Sequence, residues 1–513
     1  MTHVLTARRG ARLRSAAAGV SAAVLAVGAG ELVAAVVEPA ASPVAVIGSG
    51  LIDLAPAWAK DTAIALFGTG DKAALITGIA IVLAAVAALA GILEARRAGI
   101  GSVVLGVLGA LALVVAMTRP GAGPFAWLPG LIAGVVGVVA LRLLMRTVQP
   151  IPYVRPESEE RRRFLLWTAG VAVTGVAALV IGNVARGATR SIEAVRAALR
   201  LPVAARPAAP VAAGADLGIP GLAPVVTPNA EFYRIDTALI VPRIDPADWR
   251  LRIHGMVERE VEIGWDELLA LPMQEAHVTL ACVSNEVGGS LIGNARWLGH
   301  PVRDLLARAG VDPDADMVLS TSSDGFTAST PIEALTDERD ALLAVGMNGD
   351  PLPIEHGFPV RMVVPGLYGY VSATKWVVDL EVTRFDRVTA YWTTRGWSDH
   401  GPIKLQSRID VPRRGQRVEP GDSVIAGMAW QQHVGVDGVE VRVDGGSWQR
   451  AELASPISAD TWVQWSLPWT AESGTHSIEC RAVSADGETQ TSEPAAPAPD
   501  GAQGWHRIDI TVG

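Results

Sequence analysis

Cysteine is almost absent from this chain, which has only Cys282 and Cys480 among its 513 residues. No CxxC or CxxCH motif occurs, and this excludes a ferredoxin-type iron–sulfur pattern and a c-type haem attachment site. Whether the two cysteines form a disulfide does not follow from the sequence. An excess of positive charge is also absent, because the formal net charge is -9, and we therefore expect no nucleic-acid partner.

Charged residues are scarce in residues 1–190, and the mean hydropathy of the whole chain is +0.31. Five apolar stretches there are about 20 residues long, the length that spans a bilayer. They are Ala16–Val37, Ala73–Leu93, Ala98–Thr118, Gly121–Leu141 and Phe164–Ala185. We predict a transmembrane bundle of about five helices over residues 1–190, with four or six spans as the alternatives. Residues 43–67 contain Asp53, Lys60 and Asp61, which favours an amphipathic helix at the membrane surface.

Arginines are concentrated on one side of the predicted spans. They precede the first span, separate the second from the third and separate the fourth from the fifth: Arg8, Arg9, Arg12, Arg14, Arg96, Arg97, Arg142, Arg146, Arg155, Arg161, Arg162 and Arg163. The positive-inside rule then predicts a multi-pass protein of the cell membrane with a cytoplasmic N-terminus and extracytoplasmic C-terminal domains. Arg186, Arg190, Arg196 and Arg200 follow the last span and conflict with this orientation, but long translocated domains largely escape the rule.

Two further features of residues 1–190 bear on their function. Arg161–Leu165 (RRRFL) resembles a twin-arginine export signal, and a simple anchor of three arginines is the alternative. The predicted spans contain one acid, Glu31, and no histidine. A buried membrane acid is often functional, but local pairing is the more ordinary interpretation. A membrane b-type haem usually needs paired axial histidines, so we predict that the bundle binds no such haem.

The rest of the chain divides by its pattern of strands. Residues 191–224 include Pro202–Pro224, whose Ala, Pro and Gly content predicts a linker. In residues 225–392, strands and short helices alternate without a G-x-G-x-x-G motif after a strand, which predicts an α+β domain and disfavours a Rossmann fold. In residues 393–513, short alternating strands and the turn signal Asp444–Gly446 are typical of an immunoglobulin-like β-sandwich.

The predicted strands are Trp249–Gly255, His277–Cys282, Phe358–Pro365, Lys375–Thr383, Ser423–Trp430, Gly438–Asp444, Trp448–Leu453, Trp462–Leu467 and Gly474–Val483, and the predicted helices are Gly264–Pro272 and Val302–Ala309. Cys480 falls on one of these strands, where we expect a small buried residue.

Thr279–Gly289 (TLACVSNEVGG) is the segment with the most specific chemical pattern. A predicted strand ends at Cys282 and enters a turn with an asparagine and paired glycines, which exposes backbone N–H groups and admits a bulky ligand. A thiolate is the ligand that a soft metal prefers. Taken alone, a buried cysteine in a turn is more often a small hydrophobe than a ligand.

The order of motifs from about Pro220 to Val512 resembles the sulfite oxidase family, in both its molybdopterin-binding domain and its β-sandwich dimerisation domain. The shared landmarks are Phe232–Arg234, Thr279–Asn285, Ala295–Gly299, Val302–Leu306, Ser323–Gly325, Met347–Pro353, His356–Arg361, Pro365–Gly366, Lys375–Trp376, Gln406–Ile409 and Val443–Trp448. The resemblance implies a multi-domain protein: an N-terminal α-helical transmembrane bundle, an α+β molybdopterin-binding domain and a C-terminal immunoglobulin-like β-sandwich.

The resemblance also implies a molybdenum–molybdopterin cofactor with Cys282 as the metal ligand. It implies that Cys282, Arg234 and Arg395 are catalytic and that the cofactor is bound by Tyr233, Arg234, Asn285, Asp324, His356, Arg361, Ser372, Thr374 and Lys375. The chemistry of the cationic residues fits independently, because the pterin carries a phosphate that fixed cations can hold. For each of His356, Arg361 and Lys375, an ordinary ion pair is the alternative.

Three departures from the family pattern bear on the substrate. Glu286 stands where sulfite oxidases have an arginine, Ile235–Asp236 where they have Asn-His, and Thr394 where they have an active-site tyrosine. Such a pocket disfavours a dianion such as sulfite. Arg395 remains as one positive charge near the opening.

We therefore predict a membrane-anchored oxidoreductase that transfers an oxygen atom to or from a small oxyanion, sulfoxide or N-oxide-like substrate. Electrons would pass to a separate carrier, a quinone or a cytochrome, the bundle would contact membrane lipid, and the β-sandwich implies a homodimer. The alternatives are a non-catalytic membrane-tethered binding module, and transport through the bundle, which has few polar residues for that purpose.

Overall fold

A computed structural model describes residues 2–38, 41–54, 71–119, 122–148, 157–188, 192–238 and 240–513 of the chain. The chain forms two compact units, residues 1–191 with 238–240, and residues 192–237 with 241–513. Lys60, Asp61, Arg155 and Arg190 lie outside the described residues.

Long helices make up the first unit. Its described helices are α1 (Thr2–Val37), α2 (Pro43–Leu54), α3 (Asp71–Arg96), α4 (Ile100–Met117), α5 (Leu128–Val148) and α6 (Glu157–Ala188). Five stretches in them are long and apolar enough to cross a membrane, judged by length and composition: Gly10–Val37, Ala74–Arg96, Ile100–Met117, Leu128–Val148 and Arg162–Gly182. The five predicted apolar helices are confirmed in that sense, and α2 covers the first part of the predicted surface helix.

Small residues let the helices of this unit approach closely. Helix α1 packs against α3, α5 and α6. Where α1 crosses α3, a side chain on Gly19 would meet the carbonyl oxygen of Ala87 at 2.0 Å, and one on Gly91 would meet that of Ser15 at 2.0 Å. Contacts of backbone on backbone are typical of membrane helices, because lipid leaves no hydrophobic force between them.

Two buried acids of this unit cap helices. Glu31 is 2% exposed, and its carboxylate accepts hydrogen bonds from the hydroxyl of Ser42 at 2.8 Å and the backbone N–H of Val44 at 3.0 Å, at the start of α2. Glu94 accepts from the backbone N–H of Ser102 at 2.9 Å, in the first turn of α4. The free N–H groups at a helix N-terminus stabilise a carboxylate. Glu31 therefore has the local pairing that was its more ordinary interpretation.

Two sheets and several short helices form the first part of the second unit. The strands are β1 (Arg250–Gly255), β2 (Val261–Gly264), β3 (Gln274–Ala281), β4 (Ile292–Pro301), β5 (Met317–Ser322), β6 (Thr327–Pro331), β7 (Leu342–Met347), β8 (Asp350–Pro351), β9 (Arg361–Val363) and β10 (Val377–Thr383). The helices are α7 (Ile192–Ala198), α8 (Trp265–Ala270), α9 (Val302–Ala309), α10 (Glu333–Thr336) and α11 (Gly369–Ser372), with 3-10 turns at Pro246–Asp248, Ile354–His356 and Thr393–Arg395. This is the predicted α+β arrangement.

The strand order places Cys282 at the end of an edge strand. One sheet has the order β2-β1-β10-β5-β6, in which β1 and β10 are parallel. The other is antiparallel and has the order β3-β4-β7-β8, with β9 also on β7. Strand β3 is therefore an edge strand of the second sheet, and the chain leaves its end at Cys282.

Residues 393–513, which we call the C-terminal β region, form two further sheets. The strands are β11 (Gln406–Val411), β12 (Arg417–Val418), β13 (Gly421–Trp430), β14 (Val436–Val443), β15 (Gln449–Arg450), β16 (Glu452–Leu453), β17 (Val463–Ala471), β18 (Gly474–Ser484) and β19 (His506–Val512). The orders are β11-β13-β17-β16 and β12-β19-β18-β14-β15, and both sheets contribute to one core that includes Ile425, Val441, Trp465 and Ile478. Cys480 is fully buried in that core, as predicted.

Packing is continuous between the α+β part and the C-terminal β region. Trp430 and Trp462 belong to the same buried cluster as Leu343 and Val364 of the α+β part. The predicted linker, residues 191–224, begins with helix α7, which the sequence did not predict, and its part Pro202–Pro224 has no named helix or strand. In that part the Ala205 N–H donates to the carbonyl of Met273 at 2.8 Å and the Leu217 N–H to the side chain of Gln464 at 2.7 Å. The linker is therefore attached to both parts of the second unit.

Candidate active site

The Cys282 thiol lies where the edge strand β3 ends, in a loop closed by its own hydrogen bonds. We call residues 283–291 the cysteine loop. The N–H of Cys282 donates to the carbonyl of Leu291 at 2.9 Å, and the N–H of Leu291 donates to the side-chain oxygen of Asn285 at 2.8 Å. Both cysteines of the chain are free, so Cys282 and Cys480 form no disulfide.

Burial raises the pKa of the Cys282 thiol, and hydrogen bonds from Ser284 act in the opposite direction. Cys282 as a residue is 9% exposed. Burial, and next the charge of Cys282, raise the pKa of Tyr233 above its usual range, while the guanidinium of Arg361 lowers it. Tyr233 is therefore within electrostatic reach of both Cys282 and Arg361 and connects the thiol with a group of cations.

That group, which we call the cation cluster, comprises Arg234, His356, Arg361 and Lys375. His356 ends a 3-10 turn, Arg361 begins β9 and Lys375 lies two residues before β10. Gly357 lets them approach, because a side chain there would meet the Cβ of Arg361 at 2.9 Å and that of Lys375 at 3.2 Å. Its φ of 111° is also in the region that favours glycine.

Arg361 is a buried cation without a carboxylate partner among the described residues. It is 5% exposed, and its guanidinium donates only to backbone carbonyls: Met362 at 3.2 Å, His356 at 3.1 Å and Ala373 at 3.4 Å. It also lies over the ring of Trp297, 5.0 Å from the centroid. Burial lowers its pKa to about 10. A buried charge normally has a partner, so this arrangement indicates an anion that the protein itself does not supply.

Lys375 and His356 carry different charges at neutral pH. Burial lowers the pKa of Lys375 to about 8, although Asp236 acts in the opposite direction, so the amine is still mostly protonated at pH 7. Burial, then Arg361 and Lys375, lower the pKa of His356 to about 3, so its ring is neutral. A neutral imidazole beside these cations is a hydrogen-bonding group rather than a charge.

Asp236 is the acid that faces the cation cluster. Its side chain is 4% exposed, and its Oδ2 accepts from the Nζ of Lys375 at 2.7 Å and the Nε of Arg234 at 2.9 Å. Arg234, Lys375 and Arg361 carry three positive charges and Asp236 carries one negative charge, and the sum of two positive charges matches the charge of a phosphate monoester. The sequence analysis noted Asp236 as a departure from the family pattern but assigned it no role.

Three other predicted cofactor residues, Ser372, Thr374 and Asn285, already have partners within the protein. Ser372 is fully buried and donates to the carbonyl of Tyr368 at 2.9 Å. The hydroxyl of Thr374 is 2.7 Å from that of Ser320. Asn285 uses its side-chain oxygen within the cysteine loop, and its amide nitrogen remains available to a ligand.

Asp324 lies in the turn between β5 and β6, and Arg395 lies in the 3-10 turn Thr393–Arg395. Asp324 accepts from the N–H of Phe326 at 3.3 Å, which is a local turn contact. Arg395 lies 3.6 Å from the centroid of the Tyr391 ring and donates to the carbonyl of Tyr391 at 2.6 Å. Tyr391 in turn packs against Phe326, 5.7 Å between ring centroids, so both predicted residues belong to one surface.

Two residues near the thiol escaped the sequence analysis. Ser284 lowers the pKa of the Cys282 thiol against the effect of burial, and burial, followed by a smaller effect of Cys282, raises the pKa of Tyr368 to about 12. The N–H of Lys404 donates to the Tyr368 hydroxyl at 3.4 Å. A signal for Ser284 was present, since it lies two residues after the cysteine, whereas nothing in the sequence relates Tyr368 to Cys282.

Glu286 is exposed on the cysteine loop, and no basic side chain of the described residues lies within ion-pair distance of it. The Thr394 hydroxyl donates to the carbonyl of Tyr391 at 2.8 Å and accepts from the Nη1 of Arg395 at 3.1 Å. In the described parts of the chain, no three His, Cys, Asp or Glu side chains are grouped as a metal cage. A metal at Cys282 would therefore take its other ligands from a cofactor.

Comparison with known proteins agrees with these features. Residues 238–392 match the family model described as an oxidoreductase molybdopterin binding domain. The chain is 32% identical to mitochondrial sulfite oxidase of Mus musculus, over 56% of this chain and 62% of that protein, so it spans less than two thirds of that relative. It is 31% identical to sulfite oxidase of Gallus gallus, over 53% of this chain and 69% of that protein.

A solved structure gives the same indication. The sulfane dehydrogenase SoxCD from Paracoccus pantotrophus matches 56% of this chain and 81% of its own, with 25% identity and a TM-score of 0.50.

Proposed function

The chain belongs to the sulfite oxidase family of molybdopterin-binding oxidoreductases, and from that premise we propose that it is a membrane-anchored enzyme for oxygen-atom transfer. The observation that supports this most strongly is the buried Arg361, which has no carboxylate partner among the described residues and lies in a cluster of cations, in the same domain as the buried free thiol of Cys282. Such an arginine is of no use to a fold that holds no anionic cofactor, because burying an unpaired cation destabilises the protein.

The residues fit the cofactor of this family. Arg361, Lys375 and Arg234 would hold the phosphate of the pterin, with the neutral His356 as a hydrogen-bonding group. Cys282 would ligate the molybdenum, and Asn285 would offer its amide nitrogen to the pterin. When bound, the molybdenum centre supplies two-electron chemistry coupled to oxygen-atom transfer. The protein binds and orients the cofactor and the substrate and limits the access of water.

The Cys282 thiol must lose its proton before it can bind a metal. Burial raises its pKa, so the free protein holds Cys282 protonated at neutral pH, and the proton leaves when a metal binds. The hydrogen bonds from Ser284 favour the thiolate and act in the direction of metal binding. Ser284 therefore tunes the ligand and does not touch the substrate in this proposal.

We propose that the substrate is not a dianion such as sulfite. Glu286 places a negative charge on the exposed face of the cysteine loop, and Thr394 offers a hydroxyl already bonded to a carbonyl. Arg395, stacked on Tyr391, remains as the cation of this surface. One acid and one cation at the proposed opening favour an uncharged polar molecule of sulfoxide or N-oxide type, or a small monoanion, over a dianion.

The apolar helices of the first unit bear on where the enzyme is located. We propose that its five apolar helices span the cell membrane with the N-terminus in the cytoplasm, that the second unit is extracytoplasmic, and that RRRFL serves twin-arginine export. A separate quinone or cytochrome would exchange electrons with the centre. The two-sheet C-terminal β region would be immunoglobulin-like and would support a homodimer.

Elemental analysis tests the proposal. The full chain, purified in detergent from a host that makes molybdopterin, is compared with Cys282→Ser and with Cys480→Ser as the matched control. We expect about one molybdenum per chain in the wild type and in Cys480→Ser, and loss or an altered electron paramagnetic resonance signal in Cys282→Ser. Absence of molybdenum and pterin from the wild type, in a host that loads another molybdenum enzyme, refutes the proposal.

A further inference from the structure

The C-terminal β region contacts the chain on both sides of Cys282. These contacts involve the edge of β3 before the cysteine, the cysteine loop after it, and Tyr368 beside it. None of them involves a residue of the cation cluster. They are hydrogen bonds and close packing between parts of the chain that are far apart in sequence.

On the upstream side, the C-terminal β region completes the free edge of β3 at Thr279. The N–H of Thr279 donates to the carbonyl of Asp460 at 3.0 Å, and its carbonyl accepts from the side-chain amide of Gln432 at 3.0 Å. Its hydroxyl accepts from the N–H of Trp462 at 2.9 Å. Thr279 is 1% exposed, so all three bonds are protected from water, and the strand that carries Cys282 has its polar groups satisfied.

On the downstream side, Arg408 holds the cysteine loop. Its Nη1 donates to the carbonyl of Gly289 at 2.8 Å, and Asp410 fixes the guanidinium through bonds of 2.6 and 3.2 Å. Arg408 is 8% exposed. A charge-assisted bond that is shielded from water and oriented by a second ion pair is stronger than an ordinary surface contact. The carbonyl of Gly289 is therefore held in one position.

The ring of His506 packs against the backbone of the same loop at Gly288. A side chain on Gly288 would meet the His506 ring at 2.2 Å, and the φ of Gly288 is 75°, so the ring lies directly against the backbone. The Nδ1 of His506 accepts from the N–H of Ile409 at 2.9 Å. Burial, then Arg408, lower the pKa of His506 to about 4, so the ring is neutral and this bond persists at physiological pH.

The C-terminal β region also contacts Tyr368 of the α+β part. Its hydroxyl accepts from the N–H of Lys404, and the Nζ of Lys404 is 2.8 Å from Asp500. A side chain on Gly501 would meet the Tyr368 hydroxyl at 2.6 Å, so this segment packs tightly on the phenol.

We propose that Arg408 and His506 are positioning residues for the metal ligand: the C-terminal β region, through its bonds to Gly289 and its packing on Gly288, keeps the cysteine loop in the conformation that presents the Cys282 sulfur. The role of these residues toward the metal rests on the proposed function. The mechanical part, in which Arg408 and His506 hold the cysteine loop in one conformation, does not. The β region is thus part of the active site and not only an assembly module.

Thiol reactivity in the cofactor-free protein tests the mechanical part. The full chain is produced in a host without molybdopterin and treated with iodoacetamide, and peptide mass spectrometry follows Cys282 and Cys480 separately. Four proteins are compared: wild type, Arg408→Gln, Arg408→Lys and Arg450→Gln. Arg450 is the matched control, because it is an exposed arginine of the same region, paired with Asp437 away from the loop.

We expect Arg408→Gln to raise the alkylation rate of Cys282 roughly tenfold, as the loss of one charge-assisted hydrogen bond implies, with Cys480 unchanged. Arg408→Lys should restore a rate close to that of the wild type, and Arg450→Gln should have no effect. An unchanged Cys282 rate in Arg408→Gln overturns the proposal. A parallel rise at Cys282 and Cys480 also overturns it, since it means general loosening.

A second readout connects the loop to the metal. In protein from a host that makes the cofactor, Arg408→Gln should alter the electron paramagnetic resonance signal of molybdenum while the pterin content per chain stays at the wild-type level. An identical signal overturns the role toward the metal. If wild-type protein holds no pterin, the proposed function fails, and the alkylation result still decides whether Arg408 positions the loop.

Discussion

Replacing Arg361 by methionine is the sharpest perturbation of the cation cluster. The guanidinium is buried and bonds only to carbonyls of Met362, His356 and Ala373, so its charge has no carboxylate partner among the described residues. Methionine has a similar volume and no charge. The variant therefore separates two roles, because a structural arginine contributes to folding and an anion-binding arginine contributes to affinity.

The expected magnitude follows from the contacts. A hydrogen bond between a charged pair is worth about 1.5–3 kcal/mol, which corresponds to a loss of roughly 10- to 140-fold in affinity for a phosphate. The free energy of unfolding of the cofactor-free protein should fall by less than about 1 kcal/mol or rise, because desolvation of the buried charge offsets the lost carbonyl bonds. We therefore expect a large loss of phosphate affinity together with little or no loss of folding stability.

The assay uses the full chain in detergent. Calorimetric titration with inorganic phosphate at pH 6 gives the affinity of the cofactor-free protein, and pterin fluorescence after gel filtration gives the cofactor retained by the loaded protein. Arg303→Met is the matched control, since Arg303 on α9 also donates to two carbonyls, at 2.9 and 3.0 Å, and contacts none of the cluster. Unchanged phosphate affinity in Arg361→Met, or an equal loss in Arg303→Met, would refute the reasoning.

Three further outcomes are expected. Phosphate affinity of the cofactor-free protein should fall as pH rises through about 8, where Lys375 loses its proton, and Lys375→Arg should abolish the fall. Because folding lowers this pKa, the free energy of unfolding of the cofactor-free protein should rise between pH 8 and the ordinary lysine pKa. Thermal melts against pH will check this rise. Asp236→Asn should raise phosphate affinity several-fold at pH 6, since the competing carboxylate is removed, and a fall would mean that Asp236 orients Lys375 instead. Glu286→Arg should lower the KM for sulfite in a dye-coupled assay with little change in thermal stability, whereas an unchanged KM would place Glu286 outside the pocket.

Regular periodicity made much of the fold predictable. The five apolar stretches coincide with long helices, and strands β1, β3, β10, β13, β14, β17 and β18 lie on predicted stretches. Strand β4, ten residues long, was missed. Nearly all its positions are buried on both faces, so it lacks the polar alternation by which a half-exposed strand is found.

The candidate site was predicted by motif and only in part by physics. Cys282, His356, Arg361 and Lys375 followed from residue type and order along the chain. The partner of Lys375 was not predictable, because Asp236 lies 139 residues away and no local pattern relates them. The same holds for Arg408, since its bond to Gly289 joins residues 119 apart. Long-range pairing of this kind is decided by the packed fold and leaves no periodic trace in the sequence.

The covered edge of β3 also has a consequence for the order in which the site matures. Thr279 bonds to Gln432 and Trp462, which follow it by 153 and 183 residues. During synthesis at about 5–20 residues per second, the strand that carries Cys282 stays incomplete for roughly 10–40 s after it leaves the ribosome. Because the edge of this strand is covered only after residues 432–462 have been made, we expect cofactor insertion to follow synthesis of the last domain, and we expect a product truncated before residue 432 to retain no metal.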